Sequence, residues 1–182
     1  MNNGYINYLN ASKKSENTIK NYTRHINEML NIIKKDETEI TYADLMNWQS
    51  EISNCAPATL NLKISAVMSY FKYLYRIGAI KENPAINLEK VRNNPKEKDY
   101  VSAEDMKAII KNMYTAEGKA IVALMASTGL RYIEMANITL EEYKNALATD
   151  RSIVIVGKGN KERMVYLNSA CLGALQNYLN VL

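Results

Sequence analysis

At 182 residues, 47% of them apolar and 23% charged, the chain can build one large core or two small ones and does not have a disordered composition. Its longest apolar run, Ala120 to Ala126, is far too short to cross a bilayer, and the N-terminus lacks the basic start and apolar stretch of a secretory leader, so no membrane partner is expected; sparse, widely separated cysteines make a reducing cytoplasm the expected setting. Two distant cysteines, Cys55 and Cys171, and one histidine exclude a disulfide framework and a structural zinc site, while a net charge of +4 permits a nucleic-acid partner without demanding one.

The first hundred residues are dominated by helical spacing. A short apolar segment (Tyr5, Ile6, Tyr8, Leu9) leads to Ser15, placed to cap a helix whose apolar positions are Ile19, Tyr22, Ile26, Met29, Leu30 and Ile33. Thr41 with Asp44 reads as a capping box before Leu45, Trp48 and Ile52. Pro57 suits a first helical turn, followed on one face by Leu60, Ile64, Val67, Met68, Phe71, Leu74 and Tyr75. Gly78 ends that helix and Asn83-Pro84 confirms the stop. Four helices make a first domain, residues 1–86.

Residues 87–100 are mixed in charge, poor in large apolar side chains and broken by Pro95, and read as a linker. A second domain, 101–182, opens with Ser102 and Asp105 before an apolar stripe of Met106, Ile109, Ile110 and Met113. A more buried helix over about 118–127 is interrupted at Thr128-Gly129, and another runs from about Arg131 to Asn137. Ser152–Val156 and Arg163–Leu167 read as two strands around a Gly157–Asn160 turn, and a last amphipathic helix uses Leu172, Leu175, Tyr178, Leu179 and Leu182.

Two segments carry candidate chemistry. Gly157-Lys158-Gly159-Asn160-Lys161-Glu162-Arg163 fits neither a dinucleotide loop nor a phosphate loop, since Glu162 holds the sixth position and a strand follows. It leaves a turn presenting Lys158, Lys161 and Arg163, suited to a nucleic-acid backbone or to solvent alone. In Thr128-Gly129-Leu130-Arg131-Tyr132-Ile133-Glu134, Arg131 begins a helix, where a guanidinium can grip a phosphate with two parallel hydrogen bonds. Glu134, one turn on, can orient it. A surface pair at i,i+3 is the commoner use of such residues.

Polar stripes oppose the apolar faces of two helices. Asn61, Ser65, Ser69, Lys72 and Arg76 form one, with Lys63 on its flank, and residues 57–81 contain four basic side chains and no acid. Asn17, Lys20, Arg24 and Lys35 form the other. Small polar residues allow close approach to a groove and basic ones reach phosphates, although a solvated outer face has the same pattern.

Thr-Gly-Leu-Arg-x-x-Glu at 128–134 followed by Gly-Lys-Gly-Asn-Lys-Glu-Arg at 157–163 resembles the tyrosine recombinase family, the phage integrases and Xer-type recombinases. Ser15-x-x-Thr18-x-x-x-Tyr22, Asn83-Pro84-Ala85 and the Asp99–Met106 segment resemble other parts of that family. The fold so implied is mainly α: a four-helix, SAM-like core-binding domain and a truncated α+β catalytic domain with a small β-hairpin. The resemblance implies strand exchange on double-stranded DNA through a phosphotyrosine, without metal or small-molecule cofactor, and with other recombinase protomers as partners. It places the scissile-phosphate clamp on Arg131 and the proton donor to the leaving 5′-oxygen on Lys158. It places DNA contacts on the second and fourth helices (Lys20 and Arg24; Asn61, Ser65, Ser69, Lys72 and Arg76), and with it the reading of the hairpin as a nucleic-acid finger makes Lys161 and Arg163 expected DNA contacts as well.

The family also uses a His-x-x-Arg motif and a late tyrosine, neither of which follows the hairpin here. The expectation is the leading part of a site-specific recombinase, inactive in cleavage by itself. The alternative is a non-catalytic DNA-binding regulator on the same scaffold.

Overall fold

The computed structural model describes residues 3–94, 99–157, 159 and 161–182. The chain divides into two compact units, Met1–Lys96 and Glu97–Leu182. Residues 95–98 of the expected linker, Pro95 among them, lie outside the described residues, as does Lys158.

The first unit contains α1 (Asn3–Ala11), α2 (Glu16–Ile33), α3 (Tyr42–Glu51) and α4 (Pro57–Arg76). The caps are those the sequence announces. The Ser15 hydroxyl accepts from the Thr18 N–H, Thr41 and Asp44 close a reciprocal capping box, and Pro57 stands in the first turn of α4. Gly78 takes a φ of 73°, the left-handed conformation that lets the chain leave α4 without a Cβ clash.

α4 is the central element. Leu60, Ile64, Val67, Phe71 and Leu74 are buried along it, against Ile26 and Met29 of α2, Leu45 and Trp48 of α3, and Tyr5 and Leu9 of α1. Tyr75, expected on this face, is 53% exposed, and Tyr70 and Tyr73 fill the core instead. Tyr5 meets Tyr70 edge-on at 5.0 Å and Tyr73 at 5.4 Å. Its hydroxyl donates to Ser69 Oγ at 2.9 Å, and burial pushes its pKa up to about 12.

The chain beyond α4 folds back on the bundle. Ile80, Ala85 and Leu88 are buried and Val91 packs beside them. The Gln49 side-chain amide donates to the Glu89 carbonyl at 3.3 Å, and Asn61 bonds to the backbone of Val91. Residues 87–91, expected to begin a linker, are therefore held by the first unit, because Leu88 and Val91 supply apolar anchors within an otherwise polar stretch.

In the second unit, α5 (Ala103–Asn112) is capped by Ser102, α6 (Ala116–Thr128) by Thr115, and α6 ends at Gly129 with φ 63°. A short α7 (Tyr132–Ala136) and then α8 (Leu140–Ala148) follow. β1 (Ser152–Val156) and β2 (Glu162–Tyr166) pair antiparallel with Ile153 opposite Val165 and Ile155 opposite Arg163, and α9 spans Ser169–Leu179. Leu124, Leu130, Tyr143, Ala146, Ile153, Ile155, Val165, Leu167 and Cys171 make the core.

Two differences from the sequence reading stand out here. α5 buries none of its residues, and no member of the Met106–Met113 stripe belongs to this core. α8 was not anticipated, yet its Thr139–Glu142 capping box and its buried Tyr143 and Ala146 define it clearly. Tyr166 lies on the outer face of the hairpin and Tyr178 half-buried on α9.

Candidate functional site

Gly129 turns the chain out of α6, the buried Leu130 anchors it, and Arg131 becomes the N-cap residue of α7. A guanidinium carries no acceptor, so the cap is one-sided: Glu134 reaches back and its Oε2 accepts from the Arg131 backbone N–H at 2.9 Å. The other oxygen, Oε1, accepts from Arg131 Nη1 at 2.8 Å. The Arg131 side chain is 66% exposed while that of Glu134 is 4% exposed. A buried carboxylate thus orients an accessible guanidinium, which keeps further N–H donors for an anionic oxygen.

Glu134 has a second partner. Arg163 on β2 donates from Nη1 to Oε1 at 3.0 Å and from Nη2 to Oε2 at 2.6 Å, a two-pronged ion pair across 29 residues. Arg163 was expected to reach DNA from the hairpin flank. It turns onto Glu134 instead, because a carboxylate this enclosed must be compensated. Hydrogen bonds from Arg163, and next from the Arg131 backbone, hold Glu134 down to about 2 against the opposing effect of desolvation. Sequence reasoning had the Arg131–Glu134 pair but missed Arg163 as its third member.

Gly157, at the base of the turn, donates its N–H to the Lys161 carbonyl at 2.8 Å. A Cβ at Gly157 would stand 3.1 Å from Arg163 Nη1 and 3.2 Å from Glu134 Oε1, so its bare backbone is what lets the turn sit against the ion pair. Lys161 is exposed.

On the first unit the α4 stripe splits in two. Asn61 donates from Nδ2 to the Val91 carbonyl and accepts the Val91 N–H at Oδ1, both at 2.9 Å. Ser65 Oγ donates to the Asn61 carbonyl at 2.7 Å, and Ser69 is taken by Tyr5. These three, expected on DNA, are half-buried and committed within the fold, because the chain at 85–91 and α1 cover what periodicity alone reads as an outer face. Lys72 and Arg76 stay exposed and line a groove with Lys14 and Lys81, beside Tyr8 and Tyr75. Arg76 Nη1 donates to the Tyr8 hydroxyl at 3.3 Å. Lys81 closes the acid-free basic stretch of residues 57–81, whereas Lys14 was not expected here, since it lies before α2 and off the α4 stripe.

On α2, Lys20 is exposed and Arg24 largely so, but an acid intrudes. Glu28 lies 3.8 Å from Arg24 Nε, 2.9 Å from Lys63 Nζ and 3.1 Å from His25 Nδ1. Burial pushes its carboxyl up, yet the hydrogen bonds from Lys63 and His25 outweigh this and hold it below its ordinary value. Lys63 therefore faces Glu28 rather than extending the basic stripe. Among the described residues there is no group of three His, Cys, Asp or Glu side chains able to hold a metal ion, and no helix long and apolar enough to cross a membrane.

Residues 3–78 match the N-terminal SAM-like domain of phage integrases, and residues 99–182 match the phage integrase family. The tyrosine recombinase XerC of Caldanaerobacter subterraneus subsp. tengcongensis is 30% identical over 97% of this chain and 57% of its own length. The XerC of Shewanella sp. (strain W3-18-1) is 30% identical over 96% and 60%, and the XerD of Rickettsia bellii 26% identical over 92% and 59%. The chain thus spans about three-fifths of the length of these curated relatives.

Among solved structures, a lambda integrase dimer bound to a COC' core site superimposes with a TM-score of 0.78 at 14% identity, over 98% of this chain and 67% of that one. The Tn1549 transposon integrase in complex with a circular intermediate DNA gives 0.65 at 13% identity, over 97% and 63%. At such identity the likeness is one of fold.

Proposed function

The chain belongs to the tyrosine recombinase family, and from that premise we propose that it is the DNA-holding part of a site-specific recombinase, in which the first unit grips duplex DNA and the second presents an arginine to the reacting phosphate. The observation that carries this reading is Arg131: an exposed guanidinium whose direction is set by a buried, ionised Glu134. Phosphoryl transfer builds charge on the non-bridging oxygens, and a preoriented guanidinium neutralises it with little reorganisation.

Lys158 is assigned the proton for the departing 5′-oxygen on the strength of the motif that it shares with the family. Lys72 and Arg76, with Lys20 and Arg24, are assigned phosphate contacts along the duplex, and Lys161 a contact from the hairpin turn. Asn61, Ser65 and Ser69 are assigned to holding the first unit together. Work on DNA with other recombinase protomers, in the cytoplasm, belongs to the same proposal, as does the division into a DNA-gripping unit and a phosphate-handling unit.

The test is binding of the 182-residue chain to short duplex DNA by fluorescence anisotropy at several salt concentrations. Affinity should fall steeply with salt, as counterion release requires, and Arg131→Ala should weaken it by about tenfold, the worth of one charge-assisted contact. Salt-independent affinity, or none at low salt, overturns the reading.

A further inference from the structure

One carboxylate placed between two guanidiniums leaves a surplus of one positive charge, and the geometry says where that charge sits. Arg163 takes both oxygens of Glu134 with a side chain 37% exposed, whereas Arg131 gives one Nη1 hydrogen bond with a side chain 66% exposed. A carboxylate paired with Arg131 alone would orient it but cancel its charge, the property needed to hold a phosphate. Orientation and charge are therefore in conflict at this site unless something offsets Glu134.

We propose that Arg163 is a positioning residue that resolves this conflict: its two-pronged pair with Glu134 makes a neutral mount, so that Arg131 is oriented by the carboxylate yet keeps its own charge for an anionic oxygen of the nucleic-acid backbone. The inference rests on the reading of Arg131 given above and adds a role for Arg163 that is neither a DNA contact nor a plain packing strut. It gives β2 a direct hold on the start of α7, so the hairpin that carries Lys161 is fixed to the phosphate-facing arginine through one carboxylate. Gly157 belongs to the same device, because a side chain there would press on Arg163 Nη1 and Glu134 Oε1.

A charge-compensating role and a merely structural one diverge in a double substitution. In the 182-residue chain, the Arg131-dependent factor is the ratio of duplex affinities with and without Arg131→Ala. Arg163→Gln should abolish that factor, because the uncompensated Glu134 then neutralises Arg131. Glu134→Gln combined with Arg163→Gln should restore most of it: the carboxylate is gone and the glutamine oxygen still accepts from Arg131. Arg163→Lys, which keeps the charge, should retain it and serves if Arg163→Gln fails to fold by circular dichroism.

A double variant no better than Arg163→Gln, or an unchanged factor in Arg163→Gln, overturns the proposal. If Arg131→Ala leaves the affinity of the parent chain unchanged, the functional reading of Arg131 fails, and the compensation is then judged without DNA by carbon-13 titration of the Glu134 carboxyl. A clear upward shift on Arg163→Gln supports the neutral mount, and an unmoved titration sinks it.

Discussion

Asn61 and Val91 hold each other through two hydrogen bonds of 2.9 Å, side-chain amide to backbone in both directions. The pair fastens the returning chain across the N-terminal half of α4. Asn61→Ala leaves the N–H and carbonyl of Val91 without these partners in a half-buried position, and should cost about 1–2 kcal/mol in a urea titration. Trypsin should then cut faster after Lys90 and Arg92. Unchanged cutting there would mean that apolar packing of Ala85, Leu88 and Val91 with the Gln49–Glu89 bond anchors the segment without Asn61.

The same residue marks where the sequence stops being informative. Helical spacing puts Asn61 on the polar stripe of α4, but no local pattern says that residues 85–91 fold back over it. Capping motifs are legible because their partners lie three residues apart, as at Ser15, Thr41 and Ser102. The Glu134–Arg163 pair spans 29 residues and two kinds of element, so only the Arg131 half of the cluster could be read. α8 was legible in principle through Thr139 and Glu142.

Thr139 offers a test of that missed helix. Its hydroxyl accepts from the Glu142 N–H at 3.2 Å while Glu142 Oε2 accepts from the Thr139 N–H at 2.7 Å, and the helix it starts carries Tyr143 and Ala146 into the core. Thr139→Ala should destabilise the second unit by about 1 kcal/mol, lowering its thermal midpoint, while Thr139→Ser should restore most of the loss. An unaltered midpoint in Thr139→Ala would show that core packing alone fixes the start of α8.

Acid should loosen both units through identified carboxylates. Glu134 is held to about 2 by Arg163 and the Arg131 backbone, and Asp44 to about 2 by Lys35 and then Thr41. Both folded values lie below the ordinary 4.5 and 3.8, so the folded state binds fewer protons than the unfolded one. Their stabilisation is complete above the ordinary values and is lost as pH falls towards 2. Calorimetric midpoints should be flat from about pH 7 to 5 and fall below about 4.5. Glu134→Gln and Asp44→Asn should each flatten the fall, and an identical acid slope in both variants would refute this assignment.

Gly157 and Gly159 should respond differently to the same methyl group. At Gly157 the added Cβ presses on Arg163 Nη1 and Glu134 Oε1, both at the ends of side chains, so Gly157→Ala should spread the ion pair and raise the Glu134 titration with little loss of fold. Gly159 has a φ of 79° with open space around it, so Gly159→Ala should cost about 1–2 kcal/mol of backbone strain and leave Glu134 alone. The reverse pattern would place Gly157 outside the Glu134 cluster.

The basic surface of the first unit makes the sharpest prediction, because its charges are unequal in freedom. Lys72 and Arg76 line the open groove with Lys14 and Lys81, and each that neutralises a phosphate should lower the log–log salt slope of duplex binding by about 0.9 when replaced by Ala. Arg24 shares Glu28 at 3.8 Å, so Arg24→Ala should lower it by less. Lys63→Ala should leave the slope nearly unchanged, since Lys63 already meets Glu28 at 2.9 Å with its side chain only 17% exposed. Ser65→Ala should also leave the slope alone, because that hydroxyl is uncharged and bonded to the Asn61 carbonyl. Anisotropy titrations over a salt series on each single variant decide the order. A full loss of slope in Lys63→Ala, with none in Lys72→Ala or Arg76→Ala, would move the duplex from the α4 groove to the α2 side of the first unit.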